Sequence, residues 1–122
     1  MTLKVFFDNY LSSHQELSLA QIIRDSGLSR TYAHEIINGK KKAGRDRVIA
    51  LCFAASMSID ETNHALILSQ NNPLYPKISR DAVLTMCLQF KHQRNVSFQT
   101  ITQVNLFLEE NGHELLVLSK EY

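Results

Sequence analysis

Apolar residues recur along this 122-residue chain at the three- and four-residue spacing of amphipathic helices, and polar residues mark where those helices begin. The clearest case lies between residues 18 and 39. Ser18 and Ser29 each precede an apolar segment, where a serine hydroxyl can accept a hydrogen bond from the first helical turn. Gly27 lies between the segments and suits the left-handed residue of a tight turn, and Gly39 ends the second segment. The pattern predicts two short helices joined by a tight turn.

The second of these helices has two different faces at about 3.6 residues per turn. Its apolar face consists of Ala33, Ile36 and Ile37, with Tyr32 on the flank. Its polar face consists of Thr31, His34 and Asn38, bordered by Arg30 and Glu35. Two helices joined in this way are typical of the helix-turn-helix motif, whose second helix enters the major groove of DNA. A plain helical hairpin with a solvated face would show the same periodicity, so both interpretations stay open at this point.

The same patterning predicts five further helices, a linker and a tail. The helices cover residues 3–12, 45–56, 58–70, 79–92 and 97–110. In the third of them, the apolar run Leu66–Leu68 is expected to face the core. Two prolines then interrupt the helical pattern and predict a short linker over residues 73–77. The apolar tail over residues 113–122 is expected to pack on its own domain, with pairing to another subunit as the alternative.

The part of the chain beyond the linker resembles the part before it. Residues 45–53 align with residues 80–88, and the two cysteines fall at equivalent positions. Residues 58–73 align in the same order with residues 97–112, which suggests an internal repeat of a helical hairpin. Convergent helix patterning could produce the same similarity. The predicted organisation is a first domain over 1–72, a linker over 73–77 and a hairpin with tail over 78–122 that repeats 45–73.

One set of residues in the first 70 positions carries a family resemblance. It comprises Ile22, Ser26-Gly27-Leu28-Ser29-Arg30, Tyr32, Ile36 and Asn38-Gly39-Lys40, followed by Arg45-Asp46 and an apolar helix. With this spacing, the chain resembles the XRE/Cro–lambda-repressor-like helix-turn-helix family. The resemblance implies an all-α fold, a lambda-repressor-like five-helix helix-turn-helix bundle, extended here by a C-terminal helical hairpin. It also implies a bacterial or phage transcriptional regulator that binds double-stranded DNA as a homodimer, with half-sites about one turn apart.

The resemblance assigns roles to individual residues. Base edges would be read by three side chains of the second helix, namely Arg30, Thr31 and His34. Phosphate would be touched by the turn that follows, through Asn38 and Lys40. The basic residues after that turn are expected from their charge and position to make further phosphate contacts, namely Lys41, Lys42, Arg45 and Arg47. The charge distribution agrees with the second assignment, because residues 1–50 hold eight Lys or Arg and five Asp or Glu, whereas the formal net charge of the whole chain is only +1.

Several positions depart from the family pattern. The family usually has glutamine where this chain has Leu19, a small residue at Ile23 and a larger apolar residue at Ala33. The changes at Ile23 and Ala33 can compensate each other in packing, whereas Leu19 removes a group that supports backbone and base contacts. Glu35 borders the polar face and would repel phosphate. These features, with the near-neutral net charge, favour an alternative function, a helix-turn-helix-derived protein–protein interaction adaptor that has lost DNA binding.

Other kinds of chemistry find no support in the residue pattern. Cys52 and Cys87 lie on apolar helix faces, where thiols usually act as small buried hydrophobes. The histidines show no zinc-ligand spacing, and no phosphate-binding glycine loop or nucleophile motif occurs. We therefore expect no enzymatic activity, no metal and no cofactor. Because neither a membrane-spanning run nor a signal peptide is present, we expect a cytoplasmic protein without a membrane partner. Its C-terminal hairpin would form the dimer or receive a protein partner.

Overall fold

The secondary structure of the chain is helical, as the patterning predicts. The computed structural model describes residues 1–118, which form seven α-helices and no strand. The helices are α1 (Leu3–Ser13), α2 (Leu19–Ser26), α3 (Arg30–Ile37), α4 (Arg45–Ala54), α5 (Ile59–Leu68), α6 (Ser79–His92) and α7 (Ile101–Glu110). A short 3-10 turn over Val96–Phe98 precedes α7. The predicted all-α fold is confirmed. No helix in residues 1–118 is both long and apolar enough to cross a membrane.

Serine side chains fix the starts of three helices. Ser18 accepts a hydrogen bond from the Gln21 amide at 3.2 Å, and Ser29 accepts one from the Tyr32 amide at 3.2 Å. Ser58 forms a complete capping box with the residue three positions later. These bonds satisfy amides that have no carbonyl partner in the first helical turn, so the ends of these helices are set by local sequence.

Two details of the helix prediction are wrong. The helix expected over residues 97–110 begins only at Ile101, because Thr100 rather than Ser97 is its N-cap. The Ser97 amide instead donates to the Asn95 side chain within the 3-10 turn. Ile67, expected to face the core, is 59% exposed, since the buried face of α5 is formed by Thr62, Ala65 and Leu66.

Helix α4 lies at the centre of the molecule. Its residues from Val48 to Ala54 are all buried, and it contacts α2, α5, α6 and α7. Helix α1 packs beside α3 and α5, and the Tyr10 hydroxyl donates to the Ala55 carbonyl just beyond α4 at 2.7 Å. One hydrophobic core therefore extends from Leu3 to Val117 and includes residues of every helix.

The α4–α5 and α6–α7 hairpins are built alike. Each is followed by a return segment that an asparagine of the second helix holds in place. The Asn63 side chain accepts a hydrogen bond from the Leu74 amide at 2.8 Å, and the Asn105 side chain accepts one from the Leu116 amide at 2.7 Å. In both cases the leucine lies eleven residues after the asparagine. Both leucines are buried. Residues 119–122 of the predicted tail lie outside the described residues, but the apolar centre of that tail packs on its own chain.

The capping boxes fix the register between the two hairpins. Thr100 forms a capping box at the start of α7, as Ser58 does at the start of α5. The counterpart of Ser58 is thus Thr100, whereas the sequence alignment pairs it with Ser97. The alignment shifts because the loop before α7 contains the additional 3-10 turn.

The segment over residues 73–77 contacts both hairpins. Leu74 is buried in the core, the Pro73 carbonyl accepts a hydrogen bond from Arg45, and the Tyr75 amide donates to Asp81. The core continues across this segment, so the expected linker is a packed connection. The domain boundary placed there stays a prediction.

Candidate nucleic-acid interface

The turn between α2 and α3 is held by its backbone conformation and by one buried hydroxyl. Gly27 has a φ of 79°, in the left-handed region, and Leu28 is buried beneath the turn. The Ser26 hydroxyl donates to the Ile23 carbonyl at 2.6 Å and accepts the Leu28 amide at 3.2 Å. Ser26 is fully buried, and periodicity alone does not reveal its role, because a serine at the end of a helix is usually solvated.

Helix α3 turns its polar face outward. Its buried side consists of Ala33, Ile36 and Ile37. On the opposite side, Arg30 and Thr31 are exposed and His34 and Glu35 are half-buried. Arg30 and His34, one turn apart, line a groove of about 400 Å³ against α2, where Arg24 joins them. Thr31 and Glu35 form the next row along the helix. The three predicted base-reading side chains therefore share one helix face, in two adjacent rows.

The chain folds back on α3 directly after the helix ends. The amides of Lys40 and Lys41 both donate to the Glu35 carbonyl, at 2.8 and 3.3 Å. Further along, Ala43 is buried and its carbonyl accepts a hydrogen bond from Asn71 at 3.0 Å. The lysine loop, residues 40–42, is thus anchored at both ends, and all three of its residues are exposed.

Two positive side chains gather at Tyr32 of α3. The Lys41 ammonium lies 5.8 Å from the centre of the Tyr32 ring, and the Arg47 guanidinium lies 5.5 Å from it. The Lys41 ammonium is also 3.6 Å from the Glu35 carboxylate. The acidic residue that would repel phosphate therefore has a cation beside it. Arg47 is among the basic residues expected from the sequence to lie at phosphate, and the ring contact that brings it to Tyr32 depends on the fold.

Asn38 lies where α3, the lysine loop and the start of α1 meet. It is exposed as the C-cap residue of α3. Together with Lys41, Lys42 and Lys4 it lines an open groove of about 540 Å³. Lys4 also pairs with Asp8 at 2.8 Å, so part of its charge is offset within α1. This groove extends the positive surface from the lysine loop toward the N-terminus of α1.

Arg45 has its hydrogen-bond partners outside the lysine loop. Its guanidinium forms two hydrogen bonds with the Asp81 carboxylate, at 2.9 and 2.8 Å, and donates to the carbonyls of Asn72 and Pro73, both at 2.9 Å. The hydrogen bonds to Asp81 raise the pKa of Arg45 above its ordinary value. These bonds hold the guanidinium against α6 and the return segment, so a phosphate would have to compete with the Asp81 carboxylate for it. The phosphate contact of Arg45 stays a prediction.

The side chains of residues 1–118 form no group of three or more His, Cys, Asp or Glu that could hold a metal ion. Cys52 and Cys87 are free thiols and both are buried. Burial raises the pKa of Cys87 to about 11 and also raises the pKa of Cys52 well above its ordinary value. Both thiols are therefore protonated at neutral pH and pack as core residues.

Comparison with known proteins identifies no relative. Neither the models of protein families, nor the curated proteins, nor the solved structures gave a significant match. Membership of the helix-turn-helix family therefore stays a prediction from the motif in residues 18–47.

Proposed function

We propose that this chain is a sequence-specific DNA-binding transcriptional regulator of the XRE helix-turn-helix type, with α3 in the major groove. One observation carries the proposal, the position of the lysine loop against the polar face of α3. Lys41 contacts both Tyr32 and Glu35 of that helix. A groove-reading face and a set of phosphate-binding cations are thus neighbours, as DNA binding requires.

The side chains on α3 suit base recognition. Arg30 can donate two hydrogen bonds to guanine, and Thr31 can contact a thymine methyl group or donate through its hydroxyl. Each ring nitrogen of His34 can donate or accept, depending on the tautomer. With its side chains, an α-helix is roughly 10–12 Å wide, which matches a major groove about 12 Å wide. Phosphate contacts from Lys40, Lys41 and Lys42 would set the register of α3 in that groove.

Two features favour a second candidate function, an interaction adaptor that keeps the fold without binding DNA. Leu19 is half-buried at the start of α2, where the family usually has glutamine. Glu35 places a carboxylate within the face that would meet DNA. We rank this function second because the Lys41 ammonium offsets that carboxylate at 3.6 Å, and because a glutamate can accept a hydrogen bond from cytosine.

The deciding experiment is fluorescence anisotropy with a duplex from upstream of the chain's own gene and a scrambled duplex of the same composition. The titration is repeated from about 50 to 200 mM salt, because each phosphate contact adds about 0.9 to the slope of affinity against salt on logarithmic scales. Tighter binding to the native duplex, weakening with salt, supports the regulator. Absence of binding to either duplex at low salt would contradict it and favour the adaptor.

A matched pair of variants tests the assigned surface. Lys40→Ala removes one exposed cation beside α3, whereas Lys77→Ala removes another exposed cation, from the segment before α6. We expect Lys40→Ala to weaken binding to both duplexes alike and to lower the salt slope by about 1. Lys77→Ala should leave affinity and slope unchanged. Equal effects of the two variants would mean that the lysine loop does not bind phosphate.

A further inference from the structure

Two ion pairs that mirror each other join the first turns of α4 and α6. Arg45 of α4 binds Asp81 of α6 through two hydrogen bonds of 2.9 and 2.8 Å. Arg80 of α6 binds Asp46 of α4 through two hydrogen bonds of 2.9 and 3.0 Å. Each hairpin thus supplies one arginine and one aspartate, and each of these side chains pairs with the oppositely charged side chain of the other hairpin.

Each arginine also binds the return segment of its own hairpin. Arg45 donates to the carbonyls of residues 72 and 73, through Nε and a terminal nitrogen respectively. Arg80 uses the same two kinds of nitrogen to donate to the carbonyls of residues 114 and 115, at 3.2 Å in both cases. The two guanidinium groups therefore have matching sets of partners, with one aspartate from the other hairpin and two carbonyls from their own.

The other ends of the two helices are also joined. Lys91, in the last turn of α6, donates to the Ser56 hydroxyl just after α4 at 2.6 Å, and the His92 ring lies 2.8 Å from the Ser56 carbonyl. Contacts at both ends show that α4 and α6 run parallel and in register. In addition α4 contacts α7, and α5 contacts α6. Two like hairpins that exchange contacts in this reciprocal way are arranged as the subunits of a two-fold dimer are.

We propose that the α6–α7 hairpin takes the place of a second subunit, so that the chain is a monomer and recognises one asymmetric DNA site. A two-fold interface is closed once both sides are filled, and here both sides lie in one chain. Within residues 1–118, only the α4–α5 hairpin is preceded by a unit like α1–α3. The two hairpins together therefore have one candidate recognition helix, α3. This replaces the homodimer expected from the sequence. The DNA part rests on the function proposed above, whereas the monomer part does not.

The covalent connection makes the internal pairing the favoured one. Residues 69–78 link α5 to α6 and hold the hairpins at an effective concentration on the order of millimolar. At micromolar protein, a second copy competes for the same surface at a disadvantage of roughly a thousand-fold by that arithmetic. Exchange of hairpins between chains should therefore be negligible.

The test uses the full chain in two steps. Sedimentation equilibrium at micromolar concentrations measures its mass without DNA, and we expect the 13.9 kDa of one chain. Selection from a random duplex library then gives the preferred site, and the mass of the complex gives the number of chains bound. We expect a motif without two-fold symmetry and one chain per duplex. A duplex with two such motifs about 10 base pairs apart should bind two chains without cooperativity.

Each outcome bears on a separate part of the proposal. A mass of two chains without DNA would overturn it, as would a palindromic motif occupied cooperatively by two chains. A monomer that enriches an asymmetric motif supports it in full. A monomer that enriches no motif supports the replacement of the subunit and refutes the DNA-binding function, so the two failures are distinguishable.

Discussion

The two aspartates of the reciprocal ion pairs differ mainly in burial, and this difference leads to a quantitative prediction. Asp81 accepts three hydrogen bonds, two from Arg45 and one from the Tyr75 amide, and its side chain is 5% exposed. Asp46 accepts two from Arg80, and its side chain is 34% exposed. The matched variants Asp81→Asn and Asp46→Asn remove one negative charge each and preserve side-chain size.

The expected loss of stability in each variant depends on which charged or hydrogen-bonding groups lose their partner. Asp81→Asn leaves the Arg45 charge without its counter-ion and turns an amide group toward hydrogen-bond donors. Removing one partner of a fully buried pair costs about 3–5 kcal/mol. The Arg45 side chain is 26% exposed and keeps two carbonyl partners, so we expect the lower value of about 2 kcal/mol. For the more exposed Asp46, water replaces the lost bonds and we expect about 1 kcal/mol or less.

Urea unfolding followed by circular dichroism at neutral pH measures both losses. For a slope of about 2 kcal/mol per molar urea, Asp81→Asn should lower the midpoint by roughly 1 M, and Asp46→Asn by half of that or less. Both variants should unfold with the wild-type slope. If the two midpoints fall equally, or if that of Asp46→Asn falls further, burial does not decide the strength of these pairs and the reasoning is refuted.

Asp81→Asn should also differ from the wild type in how its stability changes in acid. Burial raises the pKa of Asp81, but the hydrogen bonds from Arg45 and from the Tyr75 amide outweigh it, and the net pKa lies below the ordinary value. The carboxylate therefore stabilises the fold above the pKa of unfolded Asp, about 3.9, and this contribution is lost as pH falls through the lower folded-state pKa. Wild type should therefore lose more stability than Asp81→Asn as pH falls from about 4 through the folded-state pKa of Asp81. Parallel curves would contradict this assignment.

Three other predictions concern the fold. Thr100→Ala should cost about 1 kcal/mol because it removes the N-cap of α7, whereas Ser97→Ala should be nearly neutral; urea unfolding of both variants checks the start of that helix. Gly27→Ala should cost about 1–2 kcal/mol because it forces a Cβ into a left-handed backbone conformation, and a melting curve measures the loss. A thiol reagent at neutral pH should modify Cys52 and Cys87 no faster than the chain unfolds, because both thiols are buried and protonated; rapid labelling of the native chain would contradict their burial.

The helix starts were predictable because each depends on a few neighbouring residues. Ser18, Ser29 and Ser58 accept bonds from amides three positions ahead, so the information lies within one turn. The wrong start predicted for α7, at Ser97, has the same local origin. Thr100 has the same chemistry three positions later, and its partner Gln103 completes the capping box. Local sequence identified the type of signal but did not decide between two adjacent places for it.

The candidate site was partly predictable. Periodicity separates the buried and exposed faces of α3, and the cluster of lysines is visible as charge. The pairing of Arg45 with a carboxylate was not predictable, because a guanidinium suits a phosphate and a carboxylate equally well. Its partner Asp81 lies 36 residues away in the chain, and only the fold brings the two together. The same holds for Arg47, whose place beside Tyr32 depends on how α4 packs.

Ser56 and Lys91 occupy corresponding places in the two hairpins, and they are hydrogen-bonded to each other. In a dimer of identical chains, each substitution appears on both sides of the axis, so a serine would face a serine or one ammonium would face another. A single chain is free of that restriction. In one chain, a mutation in one hairpin leaves the other hairpin unchanged. A lysine of one hairpin can therefore donate to a serine at the corresponding place in the other, which two identical subunits could not achieve.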